Sequence, residues 1–250
     1  MALFKSGNPV ISEKIFDKVD AHEGDVMTVR GTMNKFGLLF IMLLAGASFT
    51  WDLFFKGGDV MPWMIGSMIG GFVLALVITF KKEWSPYLAL GYAALEGLFL
   101  GAISAIFHAA FAENYPGIIM QAVLLTLGTS IAMFGLYHTG IIRATNTFKK
   151  VIITATMGIA FFYLLNMVLR LFGVQMPFLH DNSMIGIGIS LFIVAIAALN
   201  LILDFDRIEQ GAAQGAPKYF EWYGAFGLMV TLVWLYIEIL RLLSKFSSRD

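Results

Sequence analysis

The chain alternates long apolar runs with short polar connections. Each run is close to the roughly 20 residues that a helix needs to cross the hydrocarbon core of a bilayer. Because the connections are short, we expect neighbouring helices to be antiparallel partners in one bundle. The seven predicted spans are Phe36–Phe55, Met61–Phe80, Tyr87–Phe107, Gly117–Tyr137, Val151–Phe172, Ile185–Leu203 and Tyr223–Leu243.

Composition excludes an ordinary soluble fold. Of the 250 residues, 58% are hydrophobic and 14% are charged, whereas a soluble domain carries about 25% charged residues. The sequence therefore predicts an all-α polytopic membrane protein, with a tail over residues 1–35, a transmembrane domain over 36–243 and a C-terminal tail over 244–250. The pattern of the first tail fits either a short interfacial helix or a flexible soluble segment.

Charge and cysteine content remove several kinds of partner. The net charge is zero, so nothing indicates binding to nucleic acid, and the expected surroundings are the lipid bilayer. The chain has no Cys, which excludes disulfides and thiolate metal sites. A retinal-type Schiff base would need a lysine within a span, and the seven runs contain none. Motifs of serine hydrolases and zinc peptidases are also missing, so we expect no enzyme and no resident cofactor.

The distribution of basic residues predicts the orientation in the membrane. With seven spans, the N-terminal tail and three of the loops lie on one side and carry twelve of the 17 Lys and Arg residues. The positive-inside rule then places the N-terminus in the cytoplasm and the C-terminus outside. The twelve are Lys5, Lys14, Lys18, Arg30, Lys35, Lys81, Lys82, Arg143, Lys149, Lys150, Arg207 and Lys218.

One carboxylate is predicted to lie deep in the membrane. Glu96 is the tenth residue of the third run, which places it near the middle of the bilayer at 1.5 Å per residue. A carboxylate there must be protonated, paired or hydrated, so it is a candidate site on an ion path. The alternative is a neutral Glu that forms hydrogen bonds between helices. Gly97 and Gly101 would let another helix approach closely.

A second group of polar residues follows the sixth run. Asn200, Asp204 and Arg207 are spaced by four and three residues, so they share a face of a continuing helix. Asp206 would point about 200° away from Asp204. We therefore interpret the segment 204–209 as an acidic turn at the cytoplasmic end of the helix, with an exposed salt-bridge cluster as the alternative.

Other charged residues suggest pairing or a latch. Glu238 and Arg241 are three residues apart in the last run and are predicted to pair as a structural feature. Arg207, Lys81 and Lys82 are candidate latch partners for the acidic turn, because all three are predicted on the cytoplasmic side.

Several stretches resemble the Bax inhibitor-1/YccA (TMBIM) family, in its bacterial branch. Residues 91–101 read Gly-Tyr-Ala-Ala-Leu-Glu-Gly-Leu-Phe-Leu-Gly, similar to the Glu-Gly-x-x-x-Gly signature of that family, and Phe205-Asp206 resembles its Tyr-Asp motif. Further similar stretches are 31–35, 45–51, 198–206 and 216–224. The resemblance extends from about Asn8 to Lys245.

The resemblance implies a seven-helix bundle with the last helix in the centre, in a bacterial inner membrane, that acts as a pH-sensitive leak for Ca2+. In that family two aspartates share a proton and latch the pore. By position Asp206 is expected to be the first, while the place of the second is occupied by Thr231. Asp204 could substitute only with a changed geometry, and a lone aspartate lacks the coupling of a like-charged pair.

An oxygen-rich path would suit the transported ion. Ca2+ prefers oxygen ligands, and a leak needs weak sites that release the ion. We therefore expect Glu96, Asn200, Asp204 and Asp206 on the path of Ca2+ and H+, with Asp204 and Asp206 forming a weak Ca2+ site.

Two other functions remain open. Relatives of this family restrain a membrane-anchored protease, which would place function on the N-terminal tail and the lipid-facing surfaces. A transporter for another proton-coupled solute would use Glu96 as its proton carrier.

Overall fold

A computed structural model describes residues 26–113, 115–173 and 183–247. The part of the chain that it describes is almost entirely helical and contains seven long helices. All seven are long and apolar enough to cross a membrane, which confirms the predicted fold class. The helices are α1 Val29–Phe55, α2 Met61–Phe80, α3 Ser85–Phe111, α4 Ile118–His138, α5 Asn146–Leu171, α6 Met184–Ala213 and α7 Phe220–Ser247.

Local sequence signals explain where several helices begin. Thr28 caps α1, because its side-chain oxygen accepts a hydrogen bond from the N–H of Gly31 at 2.9 Å. Thr145 caps α5 in the same way by accepting from the N–H of Phe148 at 3.2 Å. Such caps satisfy donors that the helix itself leaves unpaired. The first helix therefore begins at Val29, within the segment that the apolar pattern had assigned to the tail, most of which lies outside the described residues.

The predicted acidic turn is wrong, because α6 continues as a helix to Ala213. Phe205 and Ile208 are 9% and 3% exposed, so an apolar face persists beyond the first carboxylate. The helix ends just before Gly215, which has a φ of +67° that favours glycine. A search for apolar runs stops at Asp204, whereas the helix stops where the backbone must turn.

The last helix is also the most buried of the seven. Of its most apolar stretch 67% is buried, compared with 11% to 50% for the other helices. A helix that faces lipid on one side leaves part of its surface exposed, so this degree of burial agrees with the expectation of a central last helix.

The described chain divides into two compact units. The first comprises residues 26–106 and 204–233, and the second comprises residues 107–113, 115–173, 183–203 and 234–247. Three helices, α3, α6 and α7, contribute to each unit.

In the first unit, α1 and α3 approach closely at glycines. A Cβ atom on Gly97 would overlap the backbone of Leu43, and one on Gly101 would overlap Ala47 and Thr50. The tight contact predicted from this small-residue spacing is confirmed. By contrast, a Cβ on Gly66 of α2 would have nothing within 4 Å.

The second unit has an apolar core between α5 and α6. Its buried residues are Ile152, Ile159, Ile193, Ile196 and Leu203, with Trp234 of α7 packed against them. Branched aliphatic side chains at helical spacing explain why these two helices pack together.

Candidate functional site

The clearest candidate site is a buried carboxylate near the end of α6. Asp204 is 8% exposed and accepts a hydrogen bond from the hydroxyl of Thr231 on α7 at 2.5 Å. Arg207, one turn further along α6, donates to its other oxygen at 3.3 Å. Burial removes the water that would otherwise solvate the charge, so these two donors are what stabilises it. We call Asp204, Thr231 and Arg207 the α6–α7 lock.

The expectation that Asp206 faces position 231 is wrong. Asp206 is half-buried, and its Oδ2 accepts from the side-chain amide of Gln210 at 2.8 Å, on the same helix. In a helix, two residues separated by one position lie about 200° apart, so only one of the two aspartates can face α7. The structure places Asp204 there.

The two aspartates that were predicted to form a weak Ca2+ site have separate surroundings. Asp204 and Asp206 have different hydrogen-bond partners, Thr231 and Gln210. Within the described ranges, no group of three His, Cys, Asp or Glu side chains could hold a metal ion. The weak Ca2+ site expected at Asp204 and Asp206 would have two carboxylates, fewer than such a group, so it stays a prediction.

Glu96 lies in the first unit, on α3. It is partly buried and shares a hydrogen bond with Tyr92, one turn earlier in the same helix. Its Oε1 lies 3.3 Å from where a Cβ of Gly71 would stand on α2, so the glycine leaves room for the carboxylate. The Tyr92 ring meets Phe226 of α7 edge to face, with centroids 4.8 Å apart. A carboxylate between two helices thus has a phenol as its polar neighbour.

Asn200 belongs to the second unit and holds α5 to α6. Its amide donates to Thr156 Oγ1 and to the Ile196 carbonyl, both at 2.8 Å. Its predicted role on an ion path stays a prediction.

Asn166 of α5 is 9% exposed, and its Oδ1 has no hydrogen-bond partner in the part of the chain that the structure describes.

The two lysines after α2 differ in their surroundings. Lys82 Nζ lies 5.5 Å from the centre of the Tyr223 ring, whereas Lys81 is exposed. Burial, and to a smaller extent the Glu83 carboxylate, raises the pKa of Tyr219, which lies just before α7. Lys82 contacts the beginning of α7, and the latch role of both lysines stays a prediction.

The predicted pairing of Glu238 with Arg241 is confirmed, with 3.2 Å between charged atoms. Glu238 is 1% exposed and also accepts from the hydroxyl of Tyr163 at 2.8 Å. Arg241 donates to that hydroxyl at 2.5 Å. These mutual contacts explain how a charged pair is tolerated in the buried part of α7.

Sequence reasoning missed Glu221, the most enclosed carboxylate of the first unit. Its side chain is fully buried. It accepts from both the N–H and the hydroxyl of Thr28 at 2.9 Å, and it pairs with Lys35 and Lys218. The apolar pattern put Glu221 in a polar connection, and the signal that was available was its spacing of three from Lys218.

Comparison with known proteins identifies a family. The family model described as Bax inhibitor 1 like matches residues 8–248. No curated protein matches the chain, and no solved structure matches it.

Proposed function

The chain belongs to the Bax inhibitor 1-like family, and from that premise we propose that it is a pH-sensitive leak for Ca2+ or a similar cation. The proposal includes a bacterial inner membrane as its location, with the α6–α7 lock at the cytoplasmic side. Seven membrane-length helices make it a multi-pass membrane protein, which is the setting that such a leak requires.

The observation that carries the proposal is the buried contact between Asp204 and Thr231. It joins α6 to α7 through one hydrogen bond to a carboxylate in a water-poor position. Protonation would remove the charge that attracts Arg207 and would weaken the bond from Thr231. The two helices would then separate more easily at this level, and cations would pass.

The lock contains one acid and not two. Thr231 donates a hydrogen bond through its hydroxyl group, which does not ionise near neutral pH. The charged group that acts on Asp204 is Arg207. A pair of carboxylates titrates in coupled steps, whereas a single one titrates in one step. We therefore expect the flux to depend on pH with the steepness of a single proton.

Glu96 supports the same proposal from the first unit. Its carboxylate lies against Gly71 and Tyr92, and its oxygens suit a hard cation. A single carboxylate without a cluster of further acids would bind such an ion weakly, as passage requires.

The test is Ca2+ influx into liposomes that carry the purified protein, measured from about pH 5 to 8. Asp204→Asn imitates the protonated acid, so it should raise the flux and remove its dependence on pH. Asp206→Asn is the matched control and should keep the wild-type profile, because Asp206 faces Gln210.

Two results would contradict the proposal. Wild-type flux no greater than in empty liposomes at every pH would remove the leak and favour the alternative, a regulator that binds a membrane-anchored protease. The second result is a changed pH dependence of the flux in Asp206→Asn together with an unchanged one in Asp204→Asn. The pH response would then belong to the face of α6 that carries Asp206, and not to the α6–α7 lock.

A further inference from the structure

Glu221 forms a closed polar cluster at the beginning of α7. The side chain is fully buried, although Glu is rarely buried unless it is paired. Thr28, Lys35 and Lys218 supply its hydrogen bonds and ion pairs. A Cβ on Gly31 would overlap the carboxylate, so the first turn of α1 is shaped around it. We call Glu221, Thr28, Lys35 and Lys218 the Glu221 clasp.

Residues just before α1 also contact the connection between α6 and α7. The N–H of Met27 donates to the Ala216 carbonyl at 2.8 Å, and Val26 and Pro217 form an isolated β-bridge. The connection is also held by the beginning of α3, because the Ser85 hydroxyl donates to the Tyr219 carbonyl at 3.1 Å. The beginning of α7 thus has partners from α1 and α3.

The contacts continue along α7 toward the lock. Gly224, one turn after Glu221, lies between two neighbours. A Cβ there would stand 3.2 Å from Ile208 of α6 and 3.2 Å from Thr32 of α1. Thr231 follows two turns later and donates to Asp204. Over this length of about 15 Å, the same helix is tied first to α1 and then to α6.

We infer that Glu221 is a positioning residue for the α6–α7 lock: the clasp holds the first turns of α7 against α6, so that Thr231 meets Asp204. Thr28 is the cap of α1, so the clasp also couples the beginning of α1 to the lock. The inference rests on the proposed leak, and it assigns a role to a residue outside the lock itself.

The first test compares ion flux in variants of the clasp. Glu221→Gln removes two ion pairs and Lys35→Met removes one, and each variant should raise the Ca2+ leak roughly fivefold or more. Lys35→Arg retains the positive charge, so the flux of this variant should equal that of wild type. Lys56→Met is the matched control, since Lys56 pairs with Asp52 on the same helix in an exposed position.

A double-mutant cycle then asks whether the clasp acts through the lock. Residues that act through one contact are not additive. Glu221→Gln combined with Thr231→Val should therefore leak no more than Thr231→Val alone. Multiplied effects in the double variant would overturn the inference, and they would leave the leak itself established.

Hydrogen exchange measured by mass spectrometry tests the clasp without any flux. In Glu221→Gln, exchange should rise roughly fivefold at residues 204–211 and 223–231 as well as near the substitution. A rise confined to residues 26–35 and 214–222 would show that the clasp is a local contact, and would overturn the inference. If wild type conducts no Ca2+, the proposed function fails, while this measurement still decides the role of Glu221.

Discussion

At the scale of single residues, the hydroxyl at position 231 gives Asp204 a partner that does not ionise. A second carboxylate at this distance would repel the first unless one of them held a proton. Thr231 instead donates at 2.5 Å, so Asp204 is stabilised as a charged acceptor. The lock thus combines one acid, one hydroxyl and one guanidinium.

Replacement of that hydroxyl should destabilise the protein. Thr231→Val keeps the shape of the side chain but leaves the buried Asp204 with Arg207 as its remaining donor. Loss of a hydrogen bond to a buried charged group costs about 1–3 kcal/mol. Thermal unfolding in detergent should show a lower midpoint for Thr231→Val and little change for Thr231→Ser, which retains the donor. Equal losses in the two variants would contradict the role of the hydroxyl.

Residue pairs that lie close in sequence could be predicted, whereas distant ones could not. The pairing of Glu238 with Arg241 follows from their spacing on a helix. The hydroxyl of Tyr163, which joins that pair, comes from a residue 75 positions away. Thr28 reaches Glu221 across 193 positions. The choice between Asp204 and Asp206 also depended on the rotation of α6 about its axis, which the family resemblance did not reveal.

At the scale of whole helices, hydrophobicity predicted every span but not every helix end. All seven runs coincide with helices that could cross a membrane. An apolar run marks the part of a helix that lies in the hydrocarbon core. The helix itself continues until a capping residue or a left-handed backbone conformation ends it. The ten residues of α6 after Leu203 lay outside the predicted span for this reason, although the spacing of Asn200, Asp204 and Arg207 fitted a continuing helix.

Close packing of α1 on α3 leads to a second prediction. Gly97→Ala would place a methyl group against the Leu43 backbone, which cannot move as a flexible side chain would. Overpacking of this kind costs about 1–3 kcal/mol. Gly66→Ala is the matched control, because a Cβ there meets nothing within 4 Å, and alanine favours the helix by about 1 kcal/mol.

Thermal unfolding and the yield of folded protein in detergent would measure both variants. Gly97→Ala should unfold at a lower temperature than wild type, and Gly66→Ala should unfold at the same or a higher temperature. A Gly97→Ala variant as stable as wild type would mean that α1 and α3 separate without loss of stability at this contact.

At the scale of the whole molecule, three helices contribute to both units, namely α3, α6 and α7. The family match covers residues 8–248 and so includes every helix that the structure describes. Because α6 contributes Asn200 to the second unit and Asp204 to the first, a displacement of α6 would change contacts within both units. The structure describes seven helices that could cross the membrane. Because seven is an odd number, the beginning of α1 and the end of α7 lie on opposite sides of the membrane if every one of them crosses it.

The orientation itself is open to a direct measurement, because the chain has no native Cys and single cysteines can be labelled without background. Lys56 follows α1 and Lys81 follows α2, and both are exposed. If the basic residues face the cytoplasm, a membrane-impermeant maleimide should label Lys56→Cys in intact cells and label Lys81→Cys only after permeabilisation. The opposite pattern would invert the topology and place the α6–α7 lock and the Glu221 clasp on the outer side, where the lock would respond to external pH. Labelling of both positions in intact cells would mean that α2 does not cross the membrane.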